Sequence, residues 1–463
     1  MKVSARKLSA AVAVALISTG ISTTTQAAGF ALIENSASGM GNAFAGGSAI
    51  AQDASTVWFN PAGMTRLSGS QVAFVGHFVS PTADYTDTGS TKNIALGGGA
   101  LTGPDDDGGE SALVPNFYYV TEMGKDSYFG LGVTVPFGLS TDYNSSWVGR
   151  YTATKSEVTT ININPSFATK ATDKLSIGFG LNIQYIEATL SNQLDSAAIC
   201  QASLGGAGGL CNANNLTVAN VGAAAFDSSQ SLTGDDLSFG WNFGFLYDLD
   251  KDSRLGLAYR SSIKHNLKGN VDFTRGTELN TVLTTIGGGT NLLFTDTSIM
   301  AAIELPESLS VSYFRDIDSN LSIMADITWT KWRNFENLTI IFANPAQPAS
   351  TIPEDWENNY RYSFGANYKL GDKLTLRGGI AYDQTPIKSA TDRTPRIPGN
   401  DRTWLSFGAG YKISTDMTID VGYSHLFISD TDINNTDASF GHTVKGTYQA
   451  DVDILSAQAS FKF

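Results

Sequence analysis

The sequence predicts an all-β fold: a transmembrane antiparallel β-barrel of about fourteen strands with an N-terminal hatch (plug) in its lumen. Three observations lead there. Segments alternate apolar and polar residues with a period of two, as in Leu175, Ile177, Phe179, Leu181, Ile183 and Tyr185 set against Ser176, Gly178, Gly180, Asn182 and Gln184. Tight turns rich in Asp, Gly, Asn and Ser recur after such segments, and long connections separate them on the other side. The chain holds 47 Gly, 25 Phe and 17 Tyr with only 16% charged residues. After the N-terminus no run approaches the roughly 18 apolar residues that a membrane helix needs.

The first element is an export signal at residues 1–27. Lys2, Arg6 and Lys7 precede a mostly apolar stretch from Leu8 to Ile17, and "TQAAGF" closes it with small residues. Cleavage there leaves a chain starting at Ala28 and takes the net charge from −14 to −17, since three basic residues are lost. An acidic chain disfavours nucleic acid as a partner.

Residues 28–69 form the second unit. They are dense in Ala, Gly and Ser, lack strand alternation, and hold too few large apolar residues to make a core alone. A barrel of about fourteen strands has a lumen wide enough to need filling, so this segment reads as a hatch.

The barrel occupies residues 70–463. Turns at 122–127, 171–174, 248–253, 316–320, 370–373 and 414–416 define hairpins, an opening strand runs near 71–84 and a closing one near 448–463. Long loops are expected near 88–110, 145–156, 192–233, 276–297, 341–356, 384–400 and 429–447. The first contains "GPDDDGGE", whose spacing is not that of a calcium loop, and it reads as a solvated acidic tip. The third contains the cysteines Cys200 and Cys211, which an oxidising compartment pairs as a disulfide. The four histidines, His77, His265, His425 and His442, are scattered, so no metal site or cofactor is expected.

One strand breaks its own rule. Phe129, Leu131, Val133, Val135, Phe137 and Leu139 hold every odd position, yet Pro136 has no N–H to donate and Gly138 has no side chain to pack. A barrel strand that stops pairing opens a hole in the wall. In lipid an unpaired backbone group costs several kcal/mol, so the defect must be covered or must line a passage.

"SASGMGNAFAGGSAIAQDASTVWFNPAG" resembles the N-terminal hatch of the FadL-type outer-membrane transporters of long-chain fatty acids and other hydrophobic compounds, including its Asn60-Pro61-Ala62 triplet. "PFGLSTDY", "ITWTKWRNFENL" and "IPGNDRTWLSFG" are similar to later stretches of that family, and the chain ends on the Phe common in outer-membrane barrels. The resemblance implies a kinked third strand with a side opening at Pro136 and Gly138, the triplet nearby, and a ligand-touching aromatic at Phe30. It implies passive uptake of a long-chain fatty acid or other hydrophobic small molecule through the outer membrane of a Gram-negative bacterium, by a monomer that releases its cargo into outer-membrane lipid.

Fatty-acid members hold the carboxylate with basic side chains, but the matching stretch "ATLSNQLD" carries Asn192 and no basic residue. Lys331, Arg333, Arg393 and Arg396 are candidates for that task, although such residues usually sit at the interface or in loops. A neutral hydrocarbon is therefore the alternative cargo. A non-selective porin is a weaker reading, opposed by the hatch. No G-x-S-x-G, HExxH or paired-Cys site is present, so an enzyme is not expected and no catalytic residues are assigned.

Overall fold

A computed structural model describes residues 29–287 and 293–463, so the expected export signal and Ala28 lie outside the described residues. Fourteen antiparallel strands close into a barrel. They are β1 (Gln71–Asp87), β2 (Ala112–Gly124), β3 (Ser127–Thr134 continued by Gly138–Asp142), β4 (Lys155–Lys170) and β5 (Leu175–Leu194). Next come β6 (Ser228–Asp248), β7 (Ser253–Arg260 and Ile263–Thr274), β8 (Thr297–Leu305 and Ser308–Asp316) and β9 (Leu321–Thr330 and Asn337–Phe342). The circle finishes with β10 (Asn359–Leu370), β11 (Leu374–Asp383), β12 (Arg402–Lys412), β13 (Met417–Ile428 and Thr431–Thr436) and β14 (Thr443–Lys462).

Closure runs along β1 and β14, which pair without a slip from Gln71↔Lys462 to Asp87↔Gly446. Phe463 and Ser70 exchange backbone hydrogen bonds of 2.9 and 3.0 Å below that seam. The strand number and closure agree with the turn count. The boundaries differ: β5 and β6 extend to Leu194 and from Ser228, so the third loop is shorter than the alternation indicated. The polar residues at those strand ends, such as Asn192, Gln193 and Ser229, hide the extension, because backbone pairing above the lipid needs no apolar side chain.

Side chains sort by face as the period of two requires. Phe167, Phe179, Leu181, Phe245, Phe364, Ile380, Phe407 and Leu455 stand exposed on the outer surface, a continuous apolar belt that a water-facing protein would bury. Ser176, Asn182, Gln184, Ser406, Ser424 and Gln458 point inward and are buried, which leaves the question of what covers them.

The answer is the segment from Ile33 to Leu67, which is coiled in short helical turns at Ala37–Met40, Gly47–Ile50, Thr56–Phe59 and Pro61–Arg66. It touches every side of the ring. Ala37 N–H donates to Gln458 on β14 (3.1 Å), Ser48 N–H to Ser312 on β8 (3.0 Å), and the Asn60 side chain to the Phe245 carbonyl on β6 (2.9 Å). Wall arginines grip its carbonyls: Arg254 bonds Ala49 (2.6 Å), Arg260 bonds Trp58 (2.9 Å) and Arg361 bonds Ala43 (2.7 Å), each a charge-assisted bond. Close approach needs glycine in the wall, since a Cβ on Gly256 would lie 2.0 Å from the Ser48 carbonyl oxygen.

Above the barrel the third loop packs as a cap. Cys200 and Cys211 are joined by a disulfide, and around it Leu194, Ile199, Leu216 and Val221 meet Leu279, Val282 and Leu283 of the helix Thr277–Ile286.

Candidate functional site

Strand β3 is where the wall fails. Thr134 faces Asn162 and Gly138 faces Thr159 on β4, so four steps of β3 oppose three of its partner. One extra residue inverts every side chain beyond it. Phe129, Leu131 and Val133 face outward, whereas Phe137 and Leu139 are buried inside, and the unbroken odd-numbered series in the sequence is split between two faces. The expectation of one continuous face is corrected here: Pro136 and Gly138 signalled a break but not its sign.

On the other side the β2–β3 ladder ends at Phe117↔Val133, and Ala112 to Asn116 of β2 pair only with β1. The unpaired edge, Ala112 to Asn116, is about 17 Å long, at 3.3 Å per residue. It is closed above by the first loop, where Gly109 bridges Thr141. The acidic tip of that loop is not merely solvated. Asp107 accepts the Ala83 N–H (2.7 Å) and Asp105 the Asp87 N–H (2.8 Å), so its carboxylates stitch the wall above the gap.

The gap itself is filled from inside by the start of the inner segment. Ala31 bridges Phe137 in antiparallel fashion; Leu32 N–H donates to the Pro136 carbonyl (2.8 Å) and Gly138 N–H to the Phe30 carbonyl (2.9 Å). On the β2 side, side chains replace the ladder. Asn116 donates to the Glu34 carbonyl (3.0 Å) and Tyr118 to the Asn35 carbonyl (2.8 Å). Residues 30–35 thus act as a short strand held in place of a missing neighbour. A Cβ on Gly138 would stand 3.0 Å from the Leu32 side chain, so little separates the two.

Phe30 anchors this short strand. It is 2% exposed and sits among Trp332 (ring centroids 4.8 Å apart), Phe335 (5.9 Å), Phe137 (6.0 Å) and Trp356 (6.0 Å). Its neighbour Gly29 has φ +68°, and a Cβ there would come 2.6 Å from Trp332, so only glycine fits. Trp332 and Phe335 reach inward because β9 leaves the wall between Thr330 and Asn337. They lie in "ITWTKWRNFENL", a stretch in which sequence reasoning assigned no site residue apart from the candidate cations Lys331 and Arg333.

This aromatic cluster divides two cavities. The upper one, about 790 Å³, is almost wholly apolar, with Phe30, Leu139, Val158, Ile186, Leu267 and Ile303 in its lining. The lower one, about 1140 Å³, reaches Leu32, Pro136, Phe137 and Trp332 and carries the polar Arg260, Asp326 and Arg361. A third space of about 720 Å³ among the outer loops shares Leu190, Leu232, Ile340 and Arg396 with the upper cavity. Loops, upper cavity, aromatic cluster and wall gap therefore lie in sequence.

The chain matches the Outer membrane protein transport protein (OMPP1/FadL/TodX) family over residues 18–463. It is 31% identical over 439 residues to the long-chain fatty acid transport protein of Escherichia coli K12, covering 92% of this chain and 93% of that one. It is 32% identical over 423 residues to outer membrane protein P1 of Haemophilus influenzae, covering 86% of each. The chain belongs to this family. Like other members of the OMPP1/FadL/TodX family it is an outer-membrane β-barrel, and the family consists of transport proteins. A Pseudomonas aeruginosa FadL homologue superposes with a TM-score of 0.82 at 25% identity, over 94% of this chain and 99% of that one. The Pseudomonas putida toluene transporter TodX shares the fold, with a TM-score of 0.67 at 19% identity, over 95% of this chain and 100% of that one.

The residues singled out in the family motifs divide into two groups. Phe30, Pro136 and Gly138 come together at the gap. Asn60, Pro61 and Ala62 do not: Asn60 bonds the Ser48 carbonyl (2.6 Å) and Phe245 on β6, Pro61 opens a helical turn, and Ala62 lies against Gly178 of β5. The cover at the gap is residues 30–35 instead. Of the candidate cations, Lys331 pairs with Glu307 on the outer edge (2.9 Å) and Arg333 is exposed. Arg393 and Arg396 are buried in the loop before β12, where Arg393 bonds the Asp432 carbonyl (2.8 Å). Arg396 alone of the four lines the upper cavity, bonding the Lys155 and Thr152 carbonyls and the Ser156 hydroxyl (3.0, 2.8 and 2.9 Å). Burial lowers it to about 10, so it remains a cation at neutral pH. Glu354, also on that lining, is pushed up to about 8 by burial and is mostly protonated there. Asn192 faces the loop space and is satisfied by Gln230 and the Tyr151 carbonyl.

Proposed function

We propose that the chain is a passive uptake channel for long-chain fatty acids or related hydrophobic compounds, which leave sideways through the gap beside Pro136 and Gly138. In this reading residues 1–27 are the export signal, 28–69 the hatch and 70–463 the barrel; the chain acts as a monomer, without catalysis, and its exit partner is outer-membrane lipid. The observation that carries it is the missing ladder between β2 and β3, occupied by Phe30 to Leu32 at the boundary of an apolar cavity. Placing a chain in water costs about 0.8 kcal/mol per methylene, so about 10 kcal/mol for a dozen. A lateral exit avoids that step.

Cargo enters among the loops, settles in the upper cavity, and displaces Phe30 from its aromatic neighbours. Undocking the short strand uncovers the gap. Arg396 at the top of the cavity suits a carboxylate, by charge-assisted hydrogen bonding. The second reading is a neutral hydrocarbon. It is favoured by Asn192 in place of a basic residue and by the engagement of Arg396 with carbonyls of its own chain.

The test is Gly138→Arg, which fills the gap. Uptake of oleate by cells is expected to fall at least tenfold, with little steady conductance in planar bilayers before or after. Unchanged uptake would remove the lateral exit, and a large open conductance would favour a porin. Competition between oleate and toluene separates the two cargoes.

A further inference from the structure

A second discontinuity lies in the wall at β6 to β9. The upper parts of β7 and β8 pair continuously from Thr297↔Val271 to Leu305↔Ile263. Their outer edges do not. On one side the β6–β7 ladder stops at Asp235↔Lys268 and resumes at Asn242↔Arg260, seven steps against eight. On the other the β8–β9 ladder stops at Ala301↔Ile340 and resumes at Ser308↔Thr330, seven steps against ten. Ile263 to Leu267, with Ala302 to Leu305, therefore form a two-stranded flap without a ladder on either edge. It turns into the wall below at corners Ser261-Ser262 and Pro306-Glu307 and joins the paired wall above at Lys268 and Ala301.

Few bonds hold the edges. On the β6 side, His265 bonds Asp236 (2.9 Å) and Gln184 (3.1 Å). On the β9 side, Asn334 donates to Glu304 (2.6 Å) and the Lys331 N–H to the Glu307 carbonyl (3.0 Å). Inner-segment residues cover the β2–β3 gap, whereas side chains, with single backbone bonds at the two corners (Ser261 N–H to the Trp241 carbonyl, 2.9 Å, and Lys331 N–H to the Glu307 carbonyl), close these edges. The flap's inner face, through Leu267 and Ile303, lines the upper cavity. Its outer face carries Lys264 across from Glu304, and just above it Lys268 lies across from Asp235, charges that belong at the level of lipid head groups. Leaving backbone groups unpaired beside lipid is costly, and here it occurs on both edges of one hairpin over an apolar cavity.

We propose that this flap is a second port in the wall, through which an acyl chain lying in the outer leaflet reaches the upper cavity without passing the loops. The inference rests on the reading of that cavity as the cargo site. Opening requires the few edge bonds to break while the paired β7–β8 segment bows outward between the corners below and the ladders at Asp235↔Lys268 and Ala301↔Ile340 above.

The test uses the full chain in phospholipid nanodiscs doped either with a phospholipid carrying a diazirine near the end of its acyl chain or with a diazirine-bearing palmitate. Asp236→Cys/His265→Cys is bridged by a short bifunctional methanethiosulfonate, with the monofunctional reagent as control. Glu304→Cys/Asn334→Cys provides an independent bridge on the other edge, and retained heat-modifiable gel mobility certifies folding. With the phospholipid probe, photo-adducts on Leu267, Ile303 and Leu338 are expected in the unbridged protein and should fall at least tenfold on bridging, while Gly138→Arg leaves them unchanged; the palmitate probe, which also has the loop route, keeps its adducts. The phospholipid and palmitate arms tell membrane lipid from dissolved fatty acid. Phospholipid adducts that persist after bridging, or that are absent before it, overturn the port. Adducts lost with Gly138→Arg but not with the bridge overturn it too, yet leave the β2–β3 exit standing.

Discussion

Replacing Phe30 by alanine is expected to release the short strand from the wall without unfolding the barrel. Docking Phe30, Ala31 and Leu32 fixes three residues, at about 1–2 kcal/mol each, or about 3–6 kcal/mol against. The two backbone bonds to Pro136 and Gly138 return about 1–3 kcal/mol. Burial of Phe30 and Leu32 returns about 3–6 kcal/mol, and the aromatic contacts about 1–3 more. The docked state is thus favoured by a few kcal/mol. Truncating Phe30 removes about 3 kcal/mol or more, which brings docked and undocked states near parity. Hydrogen exchange read by mass spectrometry should lose about 100-fold protection at Leu32 and Gly138, at 1.4 kcal/mol per tenfold, while the strand amides of β5 and β6 stay protected. Unchanged exchange at Leu32 and Gly138 would mean that Phe30 does not hold the segment, and the proposed gating step would fall with it.

Asn60→Ala should loosen the inner segment at a different place, because it strips three bonds, to Ser48, Phe245 and the Ala62 N–H, from a fully buried site. A local loss of about 2–4 kcal/mol is expected, seen as faster exchange at Ala62 and Gly63 with unchanged heat-modifiable mobility of the barrel. Glu354 ordinarily titrates at 4.5 but is held up to about 8 by burial, so the folded chain keeps a proton that the unfolded chain gives up. Stability should therefore fall as pH rises from 4.5 to 8, and Glu354→Gln should flatten that fall in urea unfolding from liposomes.

The barrel was readable because lipid and lumen impose opposite demands on alternate residues, and six tight turns carry Asp, Gly, Asn or Ser where the chain must reverse. The strand defect was readable from Pro136 and Gly138. Its consequence was not, since Val135, Phe137 and Leu139 continue the odd-numbered series in print while the extra residue turns Phe137 and Leu139 inward. Asn116 and Tyr118 gave one usable signal, polar atoms at lumen-facing positions of an otherwise apolar strand, but nothing local names the Glu34 and Asn35 carbonyls as their partners. Trp332, Phe335 and Trp356 meet Phe30 across some three hundred residues of chain, a contact that only closure of the ring creates. The arginines of the lower wall read as ordinary strand charges, because the carbonyls they bind belong to a segment with no periodicity. The flap edges were invisible for the same reason: strand pairing is non-local, and Asp236, His265 and Glu304 look like routine polar positions.

The surplus residue in β3 makes the docking of the inner segment sensitive to single insertions and deletions. Removing one residue between Thr134 and Gly138 would restore equal steps against β4 with Gly138↔Thr159 and Leu139↔Val158 kept, so Leu139 stays inward while the backbone that now bonds Phe30 and Leu32 is drawn into the β4 ladder. A strand in step with β4 along its whole length and one that breaks step thus stand one codon apart, with composition, length and hydropathy essentially unaltered. The docking partner of residues 30–32 is thus a matter of residue count in β3 as much as of residue identity.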